Sequence, residues 1–258
     1  MKRHAVILWV ALASVVFLSA NPASAARTEG DMPVKRPLEA YVDPNVHYPV
    51  DVYDPLETFN RGVYKFNAQF DRYVFLPVVR GYEFVLPKVV RKGVSNFFAN
   101  LADARNFVNN LLQGKAEGCV NSAMRIVLNT TIGIGGLLDP ATPAGYPKMK
   151  EDFGETLGVW GLGPGPYLVI PIFGPSSIRD GTGLAFDSLV YYLWSDALIE
   201  AAFSNDTTQA GFGWGLAILL GIDTRSNIKF RYYETGSPFE YELVRFLYLK
   251  KREFEIAH

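Results

Sequence analysis

The sequence has one cysteine, Cys119, and three histidines in 258 residues. A lone thiol excludes an internal disulfide framework and a thiolate-bound zinc cluster. His4 lies in a basic N-terminal leader, His47 in a proline-broken stretch and His258 at the last position. No well-held imidazole is therefore on offer for a Ser-His-Asp or Cys-His arrangement. The Gly-x-Ser-x-Gly elbow is missing, and Gly174-Pro175-Ser176-Ser177 fails to replace it because of its proline and its absent second glycine. Asp103, Asp139, Asp180 and Asp187 do not have the spacing of a calcium-binding loop. Gly161-Leu162-Gly163-Pro164-Gly165 lacks the lysine and helix start of a phosphate-cradling loop. The inventory supports no enzyme, cofactor or metal. A basic excess is lacking as well: 25 Lys and Arg stand against 26 Asp and Glu, which argues against an electrostatic grip on nucleic acid.

Long apolar runs are also missing, and the one near the start reads as a targeting signal. Lys2, Arg3 and His4 precede an uncharged stretch from Ala5 to Ala20, and Ala23-Ser24-Ala25 has the small-x-small form of a signal-peptidase site. The run falls short of the ~20 residues needed to cross a bilayer as a helix. Residues 1–25 are thus expected to be a cleaved signal peptide, with 26–53, broken by Pro33, Pro37, Pro44 and Pro49, a flexible N-terminal tail.

What the chain does have is grease. Apolar residues make up 49% and aromatics 14%, including 18 Phe and 14 Tyr, with 23 glycines besides. From Asp54-Pro55 onward the spacing is helical: Leu56, Phe59, Val63, Phe66 and Phe70 form an apolar stripe. Further helices are expected over Pro77–Phe84, from Pro87 through Phe98, over Asp103–Gln113, and over Lys115–Thr130. Gly133, Gly135 and Gly136 then mark an apolar, glycine-dense break closed by Asp139-Pro140. Between Gly154 and Pro175, six glycines and four prolines argue against a regular helix and a central strand. Apolar segments follow over Leu184–Phe203 and Phe212–Ile222, and a basic amphipathic helix over Tyr241–Phe254. No repeat at 20–50-residue spacing is present. The expectation is a mainly α single domain over 54–258. Periodicity leaves open whether its helices bury a thick core in water or lie with their greasy sides in a membrane.

Ionised and amide groups sit among these apolar ones. Arg105, Asn106, Asn109, Asn110 and Gln113 share a helix with Phe107, Val108, Leu111 and Leu112, and Arg179-Asp180 introduces a helix that carries Asp187. Burying a lone charge costs several kcal/mol, so such groups either pair within the fold or line a wet passage.

Several motifs occur in an order that resembles the VacJ/MlaA lipoprotein family. They begin with Asp54-Pro-Leu-Glu-Thr-Phe-Asn-Arg61, Tyr64-Lys-Phe-Asn67 and Asp71. Ser95-Asn-Phe-Phe-Ala-Asn-Leu101, Val108-Asn-Asn-Leu-Leu-Gln-Gly114 and Gly133-Ile-Gly-Gly-Leu-Leu-Asp139 follow. Glu151-Asp-Phe-Gly-Glu-Thr-Leu-Gly158, Gly165-Pro-Tyr-Leu-Val169 and Arg179-Asp180 complete the series. The resemblance implies a ring of amphipathic helices in the plane of the outer membrane, facing the periplasm and enclosing a hydrophilic channel. It implies phospholipid as cargo, a trimeric porin and a periplasmic lipid carrier as partners, and maintenance of lipid asymmetry. The alternative is a soluble periplasmic lipid-binding carrier. On the family analogy, Gly133, Gly135 and Gly136 are expected to be a mobile element beside the channel rather than a plain turn. Arg179, Asp180 and Asp187 are expected to be water-facing or paired around it. One departure is Ala26, which stands where the best-known members carry a lipobox cysteine, so N-terminal acylation is not expected.

Overall fold

A computed structural model describes residues 54–234 and 237–257; the expected signal peptide and tail lie outside them. Helix α1 (Glu57–Phe70) passes through a π-turn, Asp71–Phe75, directly into α2 (Leu76–Val85). Then come α3 (Lys88–Gln113), α4 (Ala116–Thr131) and the short α5 (Phe153–Val159). A hairpin of β1 (Tyr167–Ile170) and β2 (Gly174–Ser177) leads to α6 (Ile178–Ala202), α7 (Asp206–Ser226) and α8 (Glu240–Ala257).

The mainly helical expectation holds, with local differences. The two helices expected between Pro87 and Gln113 are one, since Ala99-Asn100-Leu101-Ala102 contains no breaker. It ends at Gly114, whose left-handed φ of 71° closes the last turn. The apolar segment around Phe212–Ile222 extends in both directions into a 21-residue helix, started by Asn205, whose side chain accepts from the Thr207 and Thr208 N–H groups. The proline- and glycine-rich stretch from Gly154 to Pro175 does form regular structure. A capping box between Asp152 and Glu155 nucleates α5, and β1 pairs antiparallel with β2, Tyr167 opposite Ser177 and Val169 opposite Pro175. A two-stranded ribbon leaves each strand a free edge, where proline is tolerated.

Burial is inverted relative to a water-soluble domain. Periodicity left open which face of each helix is hidden, and in α1 the buried residues are Asn60, Tyr64 and Asn67. In α3 they include Asn96, Asn100, Asp103, Asn106, Asn109 and Asn110, while Leu111 is 62% exposed. Buried polar and charged side chains outnumber buried hydrophobic ones among the described residues, and Phe84 is 91% and Val89 83% exposed. The small hydrophobic core is built on Tyr64, Tyr167, Val169 and Tyr241.

Such an interior is held by hydrogen bonds, and α1 shows how. Asn60 and Asn67, two turns apart on one face, treat the hairpin edge as a neighbouring strand would. Asn60 Nδ2 donates to the Tyr167 carbonyl at 3.0 Å, and its Oδ1 accepts from the Val169 N–H at 2.8 Å. Asn67 does the same to the Ile170 carbonyl and the Ile172 N–H at 3.0 and 2.7 Å. A two-stranded hairpin is marginal alone; here two amides satisfy its open edge. Elsewhere the backbone itself is the contact: a Cβ on Gly183 would lie 2.3 Å from the Gly154 nitrogen, so α5 and α6 can approach this closely only with glycine there.

Asn60→Ala leaves a buried N–H and a buried C=O unpaired at once, and should cost about 2–4 kcal/mol in chemical unfolding. Asn60→Asp keeps the acceptor for Val169 but loses the donor to Tyr167, so it should also destabilise rather than behave as an isostere.

Candidate functional site

The polar interior is organised around arginines. On the α3–α4 side, Arg125, 1% exposed, donates through Nε to Asp103 at 2.9 Å and through Nη1 to Thr142 Oγ1 and the Tyr146 carbonyl. Asp139 lies 3.4 Å from the same guanidinium and is joined to Asn129 at 3.2 Å. At the far end of α1, Arg225 forks onto Asp71, at 2.5 Å from Nε and 2.8 Å from Nη2. A residue of the π-turn thereby meets the end of α7. Arg245 pairs with Asp54 at 3.2 Å.

The densest cluster gathers α5, α6 and α8. Arg252 takes Asp152 with both Nη atoms at 2.8 Å, Glu155 at 2.9 Å and Asp180 at 3.1 Å. Asp180 also accepts from Ser177 Oγ and Tyr248 OH, at 2.9 and 2.8 Å, and pairs with Arg179 at 2.9 Å. Burial pushes Asp180 upward, but Arg252, Tyr248 and Ser177 outweigh it and hold the carboxyl below its ordinary value.

The residues singled out from the sequence fall in two places. Arg179, Asp180 and Asp187 are buried on α6, and of the two placements considered, Arg179 and Asp180 take the paired one. Asp187 is buried and has no ion pair among the described residues. It accepts from Asn109 Nδ2 at 2.9 Å and the Phe153 N–H at 3.0 Å. Burial raises its pKa against those two bonds and the nearby charge of Arg105. Gly133, Gly135 and Gly136 lie far along the chain, in the turns after α4. Gly135 and Gly136 have φ of 65° and 91°, and non-glycine Ile134 shares the left-handed region at 54°. A Cβ on Gly136 would press on Asn100 at 2.8 Å, whereas one on Gly135 would meet nothing within 4 Å.

Sequence reasoning missed the buried, partner-holding roles of Asn60, Asn67, Arg125, Arg245 and Arg252. The last two were grouped with exposed Lys250 and Lys251 as a basic face. Their seven-residue separation was the available signal, since it puts both on one side of α8.

Comparison with known proteins adds an independent line. The family model described as MlaA lipoprotein matches residues 52–255. An intermembrane phospholipid transport system lipoprotein, MlaA, of Escherichia coli K12 is 40% identical over 135 residues, 50% of this chain and 53% of that one. An uncharacterised protein of Rickettsia prowazekii is 38% identical over 152 residues, 57% of this chain and 61% of its own. The chain thus spans little more than half the length of these curated relatives. A solved structure, described as the structural basis for maintenance of bacterial outer membrane lipid asymmetry, matches with a TM-score of 0.63. It is 30% identical and covers 80% of this chain and 100% of that one.

The Arg252 cluster makes stability depend on pH. Burial, and then the charge of Asp152, push Glu155 up from 4.5 to about 7. Between those two values the folded state binds more protons than the unfolded one, so this group's contribution falls as pH rises and the full penalty is felt above 7. Asp180, held below its ordinary value, titrates beneath that window. Melting should therefore show a stability loss from pH 5 to pH 7.5. Glu155→Gln keeps the acceptor for the Asp152 N–H and should flatten that slope, since Arg252 retains Asp152 and Asp180.

Proposed function

The chain belongs to the MlaA lipoprotein family, and from that premise we propose that it is a phospholipid-transport protein of the outer membrane. In this reading it removes phospholipid misplaced in the outer leaflet and passes it toward a periplasmic carrier. It is a transporter rather than an enzyme. The carrying observation is the inverted burial: arginines, carboxylates and asparagines inside, large apolar side chains outside.

An exterior of that kind is favourable only against an apolar medium, at roughly 25 cal/mol for each Å² of apolar surface removed from water. Among the described residues no helix is long and apolar enough to cross a membrane. Helices in the membrane plane with their greasy faces outward fit both facts. The soluble-carrier alternative is less well supported, because the exposed apolar residues are spread over α2, α4, α7 and α8 rather than gathered in one groove. A hydrophilic route through such a body spares a lipid headgroup the cost of crossing bare hydrocarbon. A trimeric porin holding the protein and a periplasmic carrier receiving the lipid complete the proposal. So do a cleaved signal peptide over 1–25 and a lipid-channel domain over 54–258. Arg179, Asp180 and Asp187 serve it by holding α6 against α3, α5 and α8 beside that route.

Deleting the gene should raise outer-leaflet phospholipid and detergent sensitivity, with restoration by the plasmid-borne gene; unchanged leaflet asymmetry would refute the reading. The glycine turn gives a finer test. Gly135→Val places a β-branched residue at φ 65° with no neighbour to clash against, so strain is local. The variant should remain folded and membrane-associated yet fail to restore asymmetry. Full activity would mean that the turn is only a connection.

A further inference from the structure

Each fully buried arginine among the described residues has a carboxylate partner: Arg125, Arg179, Arg225, Arg245 and Arg252. Arg105 on α3 differs. It is half-buried, its Nε is shut off from solvent with no hydrogen-bond partner, and it forms no ion pair among the described residues. Asp187 is close enough to feel its charge, but its hydrogen bonds come from Asn109 and the Phe153 N–H rather than from the guanidinium. No carboxylate is hydrogen-bonded to this guanidinium among the described residues, and its Nε keeps a donor to spare.

Helix geometry brings a second unpaired donor to the same level. The contacts of α5 fix the direction of its two neighbours. Phe153 meets Asp187 and Gly158 lies against Arg179, so along α5 the numbering of α6 falls. Over the same span, Thr156 bonds to Asn109 and Gln113, and Trp160 Nε1 donates to the Leu112 carbonyl, so the numbering of α3 rises. The helices α3 and α6 are therefore antiparallel where Asn109 meets Asp187. Going one turn back from Asn109 reaches Arg105; going one turn on from Asp187 reaches Tyr191. Tyr191 OH is likewise buried without a partner.

We propose that Arg105 and Tyr191 form an anion subsite between α3 and α6 that takes the phosphodiester of a phospholipid headgroup. The guanidinium supplies a charge and forked donors, and the hydroxyl supplies a further donor. Arginine suits this role because its planar fork matches phosphate oxygens, which lysine's point charge does not. The subsite rests on the phospholipid reading given above and says which part of the lipid is held, and where.

The test uses the full-length protein purified in detergent micelles, with fluorescent phosphatidylglycerol and fluorescent diacylglycerol of identical tails as probes. The wild type should prefer phosphatidylglycerol. Arg105→Gln should reduce that preference by about tenfold, as loss of one charge-assisted contact predicts, without altering diacylglycerol binding. Arg105→Lys should fall between, and Tyr191→Phe should show a smaller loss. Circular dichroism melts accompany each variant, and Arg105→Lys carries the test should Arg105→Gln fail to fold. An undiminished preference in both arginine variants overturns the subsite while leaving phospholipid transport intact. Binding of neither lipid by the wild type removes both readings. Competition by free glycerol phosphate as strong as by phosphatidylglycerol would overturn the assignment to a lipid, because it would identify a soluble anion as the ligand.

Discussion

The constraint behind this fold is that polar groups on its inward faces have only one another to bond. In a water-soluble domain a helix turns its polar side to solvent, and hydrogen bonds lost inside are replaced outside. Here Asn60, Asn67, Asp71, Asn109, Arg125, Asp180 and Arg252 are buried together, and a buried donor or acceptor left alone costs about 1–3 kcal/mol. Pairing is thus a condition of folding. It accounts for the abundance of asparagine, whose amide donates and accepts at once and can stand in for a peptide group. It also accounts for arginines that each serve several acceptors, as Arg252 does with Asp152, Glu155 and Asp180.

The same constraint explains what could be read from the sequence and what could not. Helical periodicity in α1, α3 and α4 was plain, as were the breaks at Gly114 and at Gly133 to Gly136, because spacing and glycine act locally. Which side of each helix faces inward was not. An amphipathic pattern gives two faces without saying which meets the core, and the usual assignment reverses when the medium outside is apolar. Phe66, 50% exposed, and Asn67, 3% exposed, are adjacent residues whose roles exchange between the two cases. The resemblance to a membrane family broke the tie that periodicity left.

Long-range partners were the other illegible part. Asn60 and Asn67 stood inside a recognised motif, yet their task is to close the edge of a hairpin more than a hundred residues away. Arg245 and Arg252 looked like a basic surface of α8 because Lys250 and Lys251 lie beside them. A carboxylate partner such as Asp54 or Asp152 is brought there by the fold, and no local spacing announces it. Arg179, Asp180 and Asp187 were picked out as charges that need an explanation. The structure gives two of them ion pairs, and gives Asp187 an amide and a backbone N–H.

These two layers depend on the surroundings differently. The interior pairs are shielded, so their strength changes little with the medium around the protein. The exterior does not share that independence: Phe84 and Val89 gain little from neighbouring protein and would gain much from an apolar medium. The fold is therefore internally specified and externally conditional. Arg125, Arg225 and Arg252 fix where the helices stand, while the greasy outer faces decide where the assembled body can reside. Separating the two suits the proposed transport of amphipathic molecules. On the proposed function, a headgroup exchanges hydrogen bonds along its route without the frame having to dissolve its own ion pairs, while lipid tails meet a surface that already prefers them to water.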